Sequence, residues 1–333
     1  MPRRPPAVAR VLERVTKTAR EHDMFAPGDL VLVSCSGGPD SVCLLYSLWH
    51  LRRLFKIQLA VFHFDHKLRP DSAKDAAYVR KLAERLELPF SLRVADDAPL
   101  KGESIEAWGW SARRRARSEV AAEIGAMKVA RGHTLDDQAE SVLMALVSGR
   151  GIAGLSGIAP KADGDIEPLI DVSRQDIEAF CRALRLRPRR DPTNMDTSKA
   201  RAAVRLQLLP TIEAIAGSGA KQAIARAASH VRPFAVDAAR EGTVLMDGRI
   251  DYRDEGFTVK VGPPLTSGSS LRVVALFGFR RMNHRTTESD VSAVVDLALG
   301  RPGRRRDLSG GLKAVREKEY VRVTRSSPGP RES

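Results

Sequence analysis

Leu30-Val31-Leu32-Val33-Ser34-Cys35-Ser36-Gly37-Gly38-Pro39-Asp40-Ser41 is the stretch on which the fold turns. Four consecutive apolar residues are the pattern of a short strand covered on both faces, as in a parallel sheet. The run empties into serines and a glycine pair, and Val42, Leu44, Leu45 and Leu48 then resume at helical spacing. Strand, glycine turn, helix is the reading, and such a turn makes sense as an anion site. Gly37 and Gly38 let the backbone bend without a Cβ and approach a ligand closely. Unpaired N–H groups at the start of the following helix point at that ligand, and the helix dipole adds positive potential. Within the same loop, Ser36 and Ser41 offer hydroxyls beside Pro39. Asp40 is a poor direct phosphate partner, so its use is to hold Mg2+ that bridges phosphates, or to order the loop. The Walker pattern GxxxxGK[ST] is absent, which disfavours a kinase or GTPase built on that loop.

Outward from the loop the pattern repeats. Val8, Val11, Leu12 and Val15 recur at helical spacing ahead of the first strand. The Arg-rich start is therefore read as a structural helix rather than a transit peptide. Residues 57–64 and 90–94 are strand candidates with a helix-like stretch, 73–86, between them. A helix over 104–124 and a strand over 128–131 follow, ending at Gly132-His133. Leu135, Ala139, Val142, Leu143 and Leu146 mark the next helix. Alternating strands and helices imply βαβ units, a Rossmann-like parallel sheet with helices on both faces, and right-handed crossovers. Ligands in such α/β sheets sit beyond the carboxyl ends of the strands. Polar clusters at 36–41, 63–69 and 133–140 all fall at such ends.

A chain of 333 residues accommodates one substantial α/β domain and something smaller, since single cores rarely grow past about 250–300 residues. We place a catalytic domain at 1–216 and, from Gly217-Ser218-Gly219, a second part at 217–333. That part is an Ala/Arg-rich helix over 222–240, strand-like runs such as 257–261 and one helix over 289–299, a small α+β module. Its end is strongly basic at 301–306 and 316–325, which a solvated surface explains but an RNA-contacting one explains better. Lys+Arg outnumber Asp+Glu by 55 to 41, a net charge of +14, which favours a polyanionic partner. Cys35, Cys43 and Cys181 form no CxxC pair and no metal-ligand spacing, in keeping with a reducing cytoplasm. No apolar run approaches the roughly 20 residues of a membrane helix. A homodimer is left open.

The loop string resembles the PP-loop of the N-type ATP pyrophosphatases. Members of that superfamily cleave ATP between the α and β phosphates, adenylate a carbonyl oxygen and let a nucleophile displace AMP. Further blocks resemble one branch, the lysidine synthases. His63-Phe64-Asp65-His66-Lys67-Leu68-Arg69 with Ser72 is similar to their H-x-D-H-x-L-R-x-x-S signature. The segment from Glu106 to Arg115 resembles E-A-x-A-R-x-x-R-Y, with departures at 108–112; Arg113 is taken as its arginine. Gly132-His133-Thr134-Leu135-Asp136-Asp137-Gln138-Ala139-Glu140 is similar to G-H-x-x-D-D-Q-x-E. Glu167-Pro168-Leu169 stands in place of the usual Arg-Pro-Leu, Asp191-Pro192-Thr193-Asn194 fits D-P-[ST]-N, and Arg201 and Arg205 fit R-N-x-x-R with Ala202 for Asn. The likeness is nearly continuous over 31–210 and looser beyond, chiefly at 308–312.

The resemblance implies an ATP- and Mg2+-dependent ligase that joins free lysine to C2 of the wobble cytidine of a tRNA(Ile) with a CAU anticodon. The route would run through an adenylated cytidine and release AMP and pyrophosphate. Asp40, Arg113, His133 and Asp137 would be catalytic, and residues 36–41 with His63 and Asp65 would bind ATP and pyrophosphate. His66, Arg69, Arg113, Arg201 and Arg205 would contact tRNA or nucleotide. Asp137 and Glu140 are three apart and share a helix face, so they could hold the ammonium of lysine, or Mg2+; dipole-complementing acids account for Asp136. Trp108 and Trp110 are read as packing residues, Cys181 as core, and 173–176 as a capping box and nothing more. The rivals are a tRNA thiolase of the same superfamily, for which the cysteines are poorly arranged, and a small-molecule amide ligase, against which the charge argues. A non-catalytic RNA-binding relic of the fold is the third, against which the intact loop argues.

Overall fold

Residues 30–34 form an inner strand of a parallel sheet, as their uninterrupted apolar character requires. In the computed structural model, which describes residues 4–67, 71–97, 99, 105–189, 197, 199–246, 250–253, 256–262, 268–282 and 286–325, the chain divides into two units, Met1–His230 and Val231–Ser333. The division falls inside a helix that carries the chain from one unit to the next. Among the described residues no helix is long and apolar enough to cross a membrane.

The first unit runs α1 (Pro6–Glu21), β1 (Leu30–Ser34), α2 (Pro39–Phe55), β2 (Gln58–Asp65), α3 (Ser72–Arg85), β3 (Phe90–Val94), α4 (Ile105–Glu123), β4 (Lys128–Ala130) and α5 (Leu135–Val147). Then come α6 (Gly151–Leu155), the two-residue strands β5 (Lys161–Ala162) and β6 (Asp165–Ile166), α7 (Arg174–Ala183), α8 (Ala200–Ala203), a π-helical turn at Val204–Leu208, and α9 (Leu209–Ala216). α10 (Ala220–Met246) leads onward. Strand order is β3-β2-β1-β4-β6-β5, parallel throughout except for the β5–β6 hairpin.

Period-two alternation sorts the strands' side chains between two cores. Val31, Val33, Leu59 and Val61 pack with α1, α2, α3 and α7. Leu32, Ala60 and Phe62 pack with Trp108, Ala112, Ala116 and Val120 of α4 on the other face. Burying each valine, leucine or phenylalanine among them stabilises by about 1.5–3 kcal/mol, and a one-residue slip would invert both faces. The order 3-2-1-4 reverses direction between β1 and β4, which makes that point the topological switch of the sheet. Both loops that leave it, after Ser34 and after Ala130, belong to the polar clusters of the sequence.

The second unit is a five-stranded antiparallel sheet of β7 (Ile250–Arg253), β8 (Gly256–Lys260), β9 (Arg305–Asp307), β10 (Leu312–Arg316) and β11 (Tyr320–Arg325) in the order β7-β8-β11-β10-β9. One face is covered by α11 (Gly268–Arg281) and α12 (Glu288–Leu299), around Phe257, Leu271, Val274, Phe279, Val294 and Val323. α11 corrects the expectation of a single helix there. Its Val and Phe content suggests a strand, but Leu271, Val274, Ala275 and Phe279 bury one helical stripe. Gly278 permits the approach, because a Cβ there would stand 2.4 Å from the Phe257 ring.

Candidate active site

The glycine loop is held by its own hydroxyl. Ser41, in the first turn of α2, accepts hydrogen bonds at Oγ from the N–H groups of Ser36 and Gly37, both 3.1 Å away, and donates to Gly38 O at 3.0 Å. Gly37 has φ +92°, a conformation that L side chains rarely adopt. Gly38 is the N-cap of α2, and Pro39 takes the first helical position, where its missing N–H is no loss. The Arg189 N–H donates to Gly37 O at 2.9 Å, fixing the outer side of the turn.

Of His63 and Asp65, both expected at the nucleotide, the first braces the glycine loop and the second orders the turn after β2. The His63 ring is buried and its Nδ1 lies 2.8 Å from Cys35 O, clamping the end of β2 to the start of the loop. Burial holds this imidazole below its usual pKa, so it stays neutral. Asp65 accepts the Lys67 N–H at 2.8 Å and orders its own turn. His66 packs edge-on against Phe64 and Trp108. Burial, helped by the Arg113 guanidinium, pushes its pKa down to about 4, so any RNA contact it makes rests on hydrogen bonding rather than charge. Arg69 and residues 191–194 lie outside the described residues.

The loop after β4 meets the glycine loop at the switch point. A Cβ on Gly132 would stand 3.4 Å from the Asp40 backbone and from Ser41 N, so the two loops touch. His133 comes next, with its backbone N–H donating to Glu167 Oε2 at 3.2 Å. Its Nδ1 is 2.9 Å from Glu167 Oε1, off the line of an ideal hydrogen bond. Glu167 is fully buried and is also paired with Arg131, which reaches Asp165; Arg117 of α4 completes the chain at Asp165, 3.1 Å away. Arg113, on the same flank of α4, is kept below its usual pKa by burial and by Arg131.

α5 begins with a capping box. Thr134 Oγ1 accepts the Asp137 N–H at 3.2 Å, and Asp137 Oδ2 accepts the Thr134 N–H at 2.9 Å. This leaves Asp137 Oδ1 to the arginines: Arg174 Nη2 donates to it at 2.7 Å, and Arg201 and Arg205 stand 3.6 and 3.7 Å away. Arg174 Nη1 donates to Glu140 Oε1 at 2.8 Å, and its Nε is 3.9 Å from Asp40 Oδ2. Glu140, fully buried, also accepts from Arg201 Nε at 3.0 Å and from Arg205 Nε and Nη2 at 2.7 and 2.9 Å. Burial opposes ionisation of Asp137 and Glu140, but the guanidinium groups win and hold both carboxyls below their usual range. Asp40 goes the other way: burial lifts it to about 6 in spite of Arg174.

Asp40, His133, Asp137, Glu140, Arg201 and Arg205 thus come together at one sheet edge. Arg174 is the residue the sequence did not reveal. Ser173 caps α7 as the capping pattern suggested, but the next residue's partners are 34 and 37 positions away. The two tryptophans also separate. Trp108 is buried and donates Nε1–H to Asp97 at 3.1 Å, whereas Trp110 is 52% exposed. Two residues turn a helix by about 200°, which sends the second indole out of the core and corrects its reading as a packing residue.

A family model described as a PP-loop domain matches residues 8–212. A tRNA(Ile)-lysidine synthase from Symbiobacterium thermophilum is 41% identical over 233 residues, 67% of this chain and 48% of that protein. One from Solibacter usitatus is 37% identical over 314 residues, 90% of this chain and 68% of that protein. The chain spans about half the length of the Symbiobacterium protein and of a Clostridioides difficile relative, at 48% and 49%. Among solved structures, the U34-tRNA thiolase NcsA from Methanococcus maripaludis, with its [4Fe-4S] cluster, superposes with a TM-score of 0.59 at 18% identity. That superposition covers 68% of this chain and 79% of the thiolase, a likeness of fold alone.

Proposed function

The chain belongs to the PP-loop family and, within it, to the tRNA(Ile)-lysidine synthases, and from that premise we propose that it joins free lysine to C2 of the wobble cytidine of a CAU-anticodon tRNA(Ile) at the expense of ATP. The observation that carries the reading is the meeting of an amide-lined glycine loop with a nest of carboxylates and guanidiniums at the switch point of the sheet. The loop suits the triphosphate tail. The acids suit a cationic amino acid, and the arginines suit an RNA backbone.

In this reading the cytidine is splayed out of its loop, as single-strand recognition requires. Its C2 oxygen attacks the α-phosphorus, pyrophosphate leaves toward residues 36–41, and the lysine amine attacks C2 and displaces AMP. The amine must be deprotonated to react, and His133, positioned by Glu167, is the nearby base. Glu140 is fully engaged by Arg174, Arg201 and Arg205. Asp137, whose Oδ1 takes a single arginine hydrogen bond, from Arg174, is the less engaged carboxylate and in this reading the one offered to lysine, while Glu140 orders the arginines. Asp40, a half-buried carboxyl beside the loop, has the donor chemistry for Mg2+. That ion would neutralise phosphate charge as the α–β bond breaks.

Pyrophosphate release by the purified chain tests this with ATP, lysine and CAU-anticodon tRNA(Ile) supplied singly and together. The expected result is release only when all three are present, with a lysine-sized mass gain on one tRNA nucleoside. Release that needs ammonia or a sulfur donor in place of lysine would overturn the reading in favour of an amide ligase or a thiolase.

A further inference from the structure

α4 follows β3, so its first turns stand at the carboxyl edge of the sheet, the edge that carries the glycine loop. Its inner stripe, Trp108, Ala112, Ala116 and Val120, is buried in the core. A Cβ on Gly109 would lie 3.2 Å from His66 Nδ1, so this part of the helix presses on the end of β2. One flank then turns toward β4: Arg117 pairs with Asp165, and the Arg113 guanidinium feels Arg131. Trp110 lies on the same flank, one helical turn before Arg113 and Arg114, and 52% of its surface is exposed. The Arg114 guanidinium sits over the indole, 5.4 Å from the ring centroid.

A tryptophan buries more apolar surface than almost any other side chain when packing is its purpose. Here the ring stands half open, with Arg113 and Arg114 one turn on along the same flank, while Arg115 points to the Trp108 side and pairs with Asp97 at 3.3 Å. An open π-face beside guanidinium groups, on the first turns of a helix that stand at the carboxyl edge of the sheet, in a chain of net charge +14, is the chemistry that receives an unpaired nucleobase. A protein partner would gain little from meeting that density of positive charge.

We propose that Trp110, backed by Arg114, is a stacking platform for an unpaired base next to the nucleotide that reacts. This rests on the RNA-modifying reading above and adds to it a residue that sets the grip on the single strand. Arg114 holds the ring in place and contributes charge toward the neighbouring phosphate. Because the ring is open, its removal leaves the core intact.

The test uses the full chain and a CAU anticodon stem-loop RNA. Trp110→Ala should weaken stem-loop binding by roughly 5- to 150-fold, the range for loss of one base–aromatic stack. Trp110→Phe should restore most of the affinity, and the KM values for ATP and lysine should stay within about twofold in both. RNA should also quench tryptophan emission more in the wild-type chain than in Trp110→Phe. Unchanged RNA affinity in Trp110→Ala, equal quenching in the two proteins, or a change in oligomeric state in place of a change in RNA affinity would each overturn the platform. The two readings fail separately. A wild-type chain that makes no lysidine but binds RNA through Trp110 defeats only the reaction; lysidine formation with RNA binding indifferent to Trp110 defeats only the platform.

Discussion

At the scale of single residues, the raised carboxyl of Asp40 sets function against stability. An aspartate lifted from 3.8 to about 6 by burial stabilises the fold when protonated, and that contribution fades as pH rises from about 4 through 6. Near pH 7.5 the ligand-free protein therefore carries the cost of an ionised, partly buried acid. Asp40→Asn should abolish pyrophosphate release and yet raise the melting temperature at about pH 7.5, by a gain of the order of 1 kcal/mol. The gain should vanish near pH 4, and a lower melting temperature at about pH 7.5 would refute the assignment. Glu167 behaves differently. Glu167→Gln would leave Arg131 with Asp165 as its one carboxylate and loosen the His133 ring, with a loss of about 2 kcal/mol visible in a urea titration and a slower reaction at unchanged ATP affinity. The loop could be seen in the sequence because its residues are contiguous. Arg174 and the Glu167–His133 contact could not, since their partners lie 34 to 37 residues away and only the reach of the Arg174 side chain to α5 and the pairing of β4 with β6 join them.

At the scale of elements, boundaries follow from periodicity wherever one face is apolar. The expected strand at 90–94 matches β3, and the helix expected over 104–124 is α4, Ile105–Glu123. What escaped are pieces too short to carry a period: the two-residue strands β5 and β6 and the π-helical turn at Val204–Leu208. α11 escaped because its apolar residues suit either period. α12 shows how local chemistry fixes a helix start. Thr287 and Asp290 form a reciprocal cap, and Asp290 also accepts from Ser309 N at 2.8 Å and from the Ser309 hydroxyl. Burial alone would raise the Asp290 carboxyl, but those hydrogen bonds overcome it and hold it to about 2. The depressed value means that its contribution is complete above about pH 4 and is lost as pH falls toward 2. Asp290→Ala should cost the second unit about 1–2 kcal/mol at neutral pH, with the difference from wild type shrinking in acid; circular dichroism melts would read both.

At the scale of the whole molecule, charge is the dominant fact. The solvent face of the second unit's sheet, opposite α11 and α12, presents Lys260, Arg305, Lys313 and Arg322 by alternation from the core-facing Val259, Leu312 and Val323. If that face meets tRNA phosphates, affinity should fall linearly with log salt. Replacing Arg305 and Lys313 by alanine should lower the slope by about one for each phosphate left without its cation, while the KM for lysine stays put. Filter binding across a salt series measures this; an unaltered slope would remove the sheet from the RNA surface. The basic composition favours a polyanionic partner but cannot say which strands would meet it, because that depends on which residues the second core swallows.

Ser41 has a quieter consequence. In the resting molecule its oxygen stands in for the guest, collecting the very amides that an incoming anion would want. On the proposed reading a triphosphate tail would take the place of that oxygen. Adenosine, which brings no such tail, would find the knot already tied and no reason to loosen it.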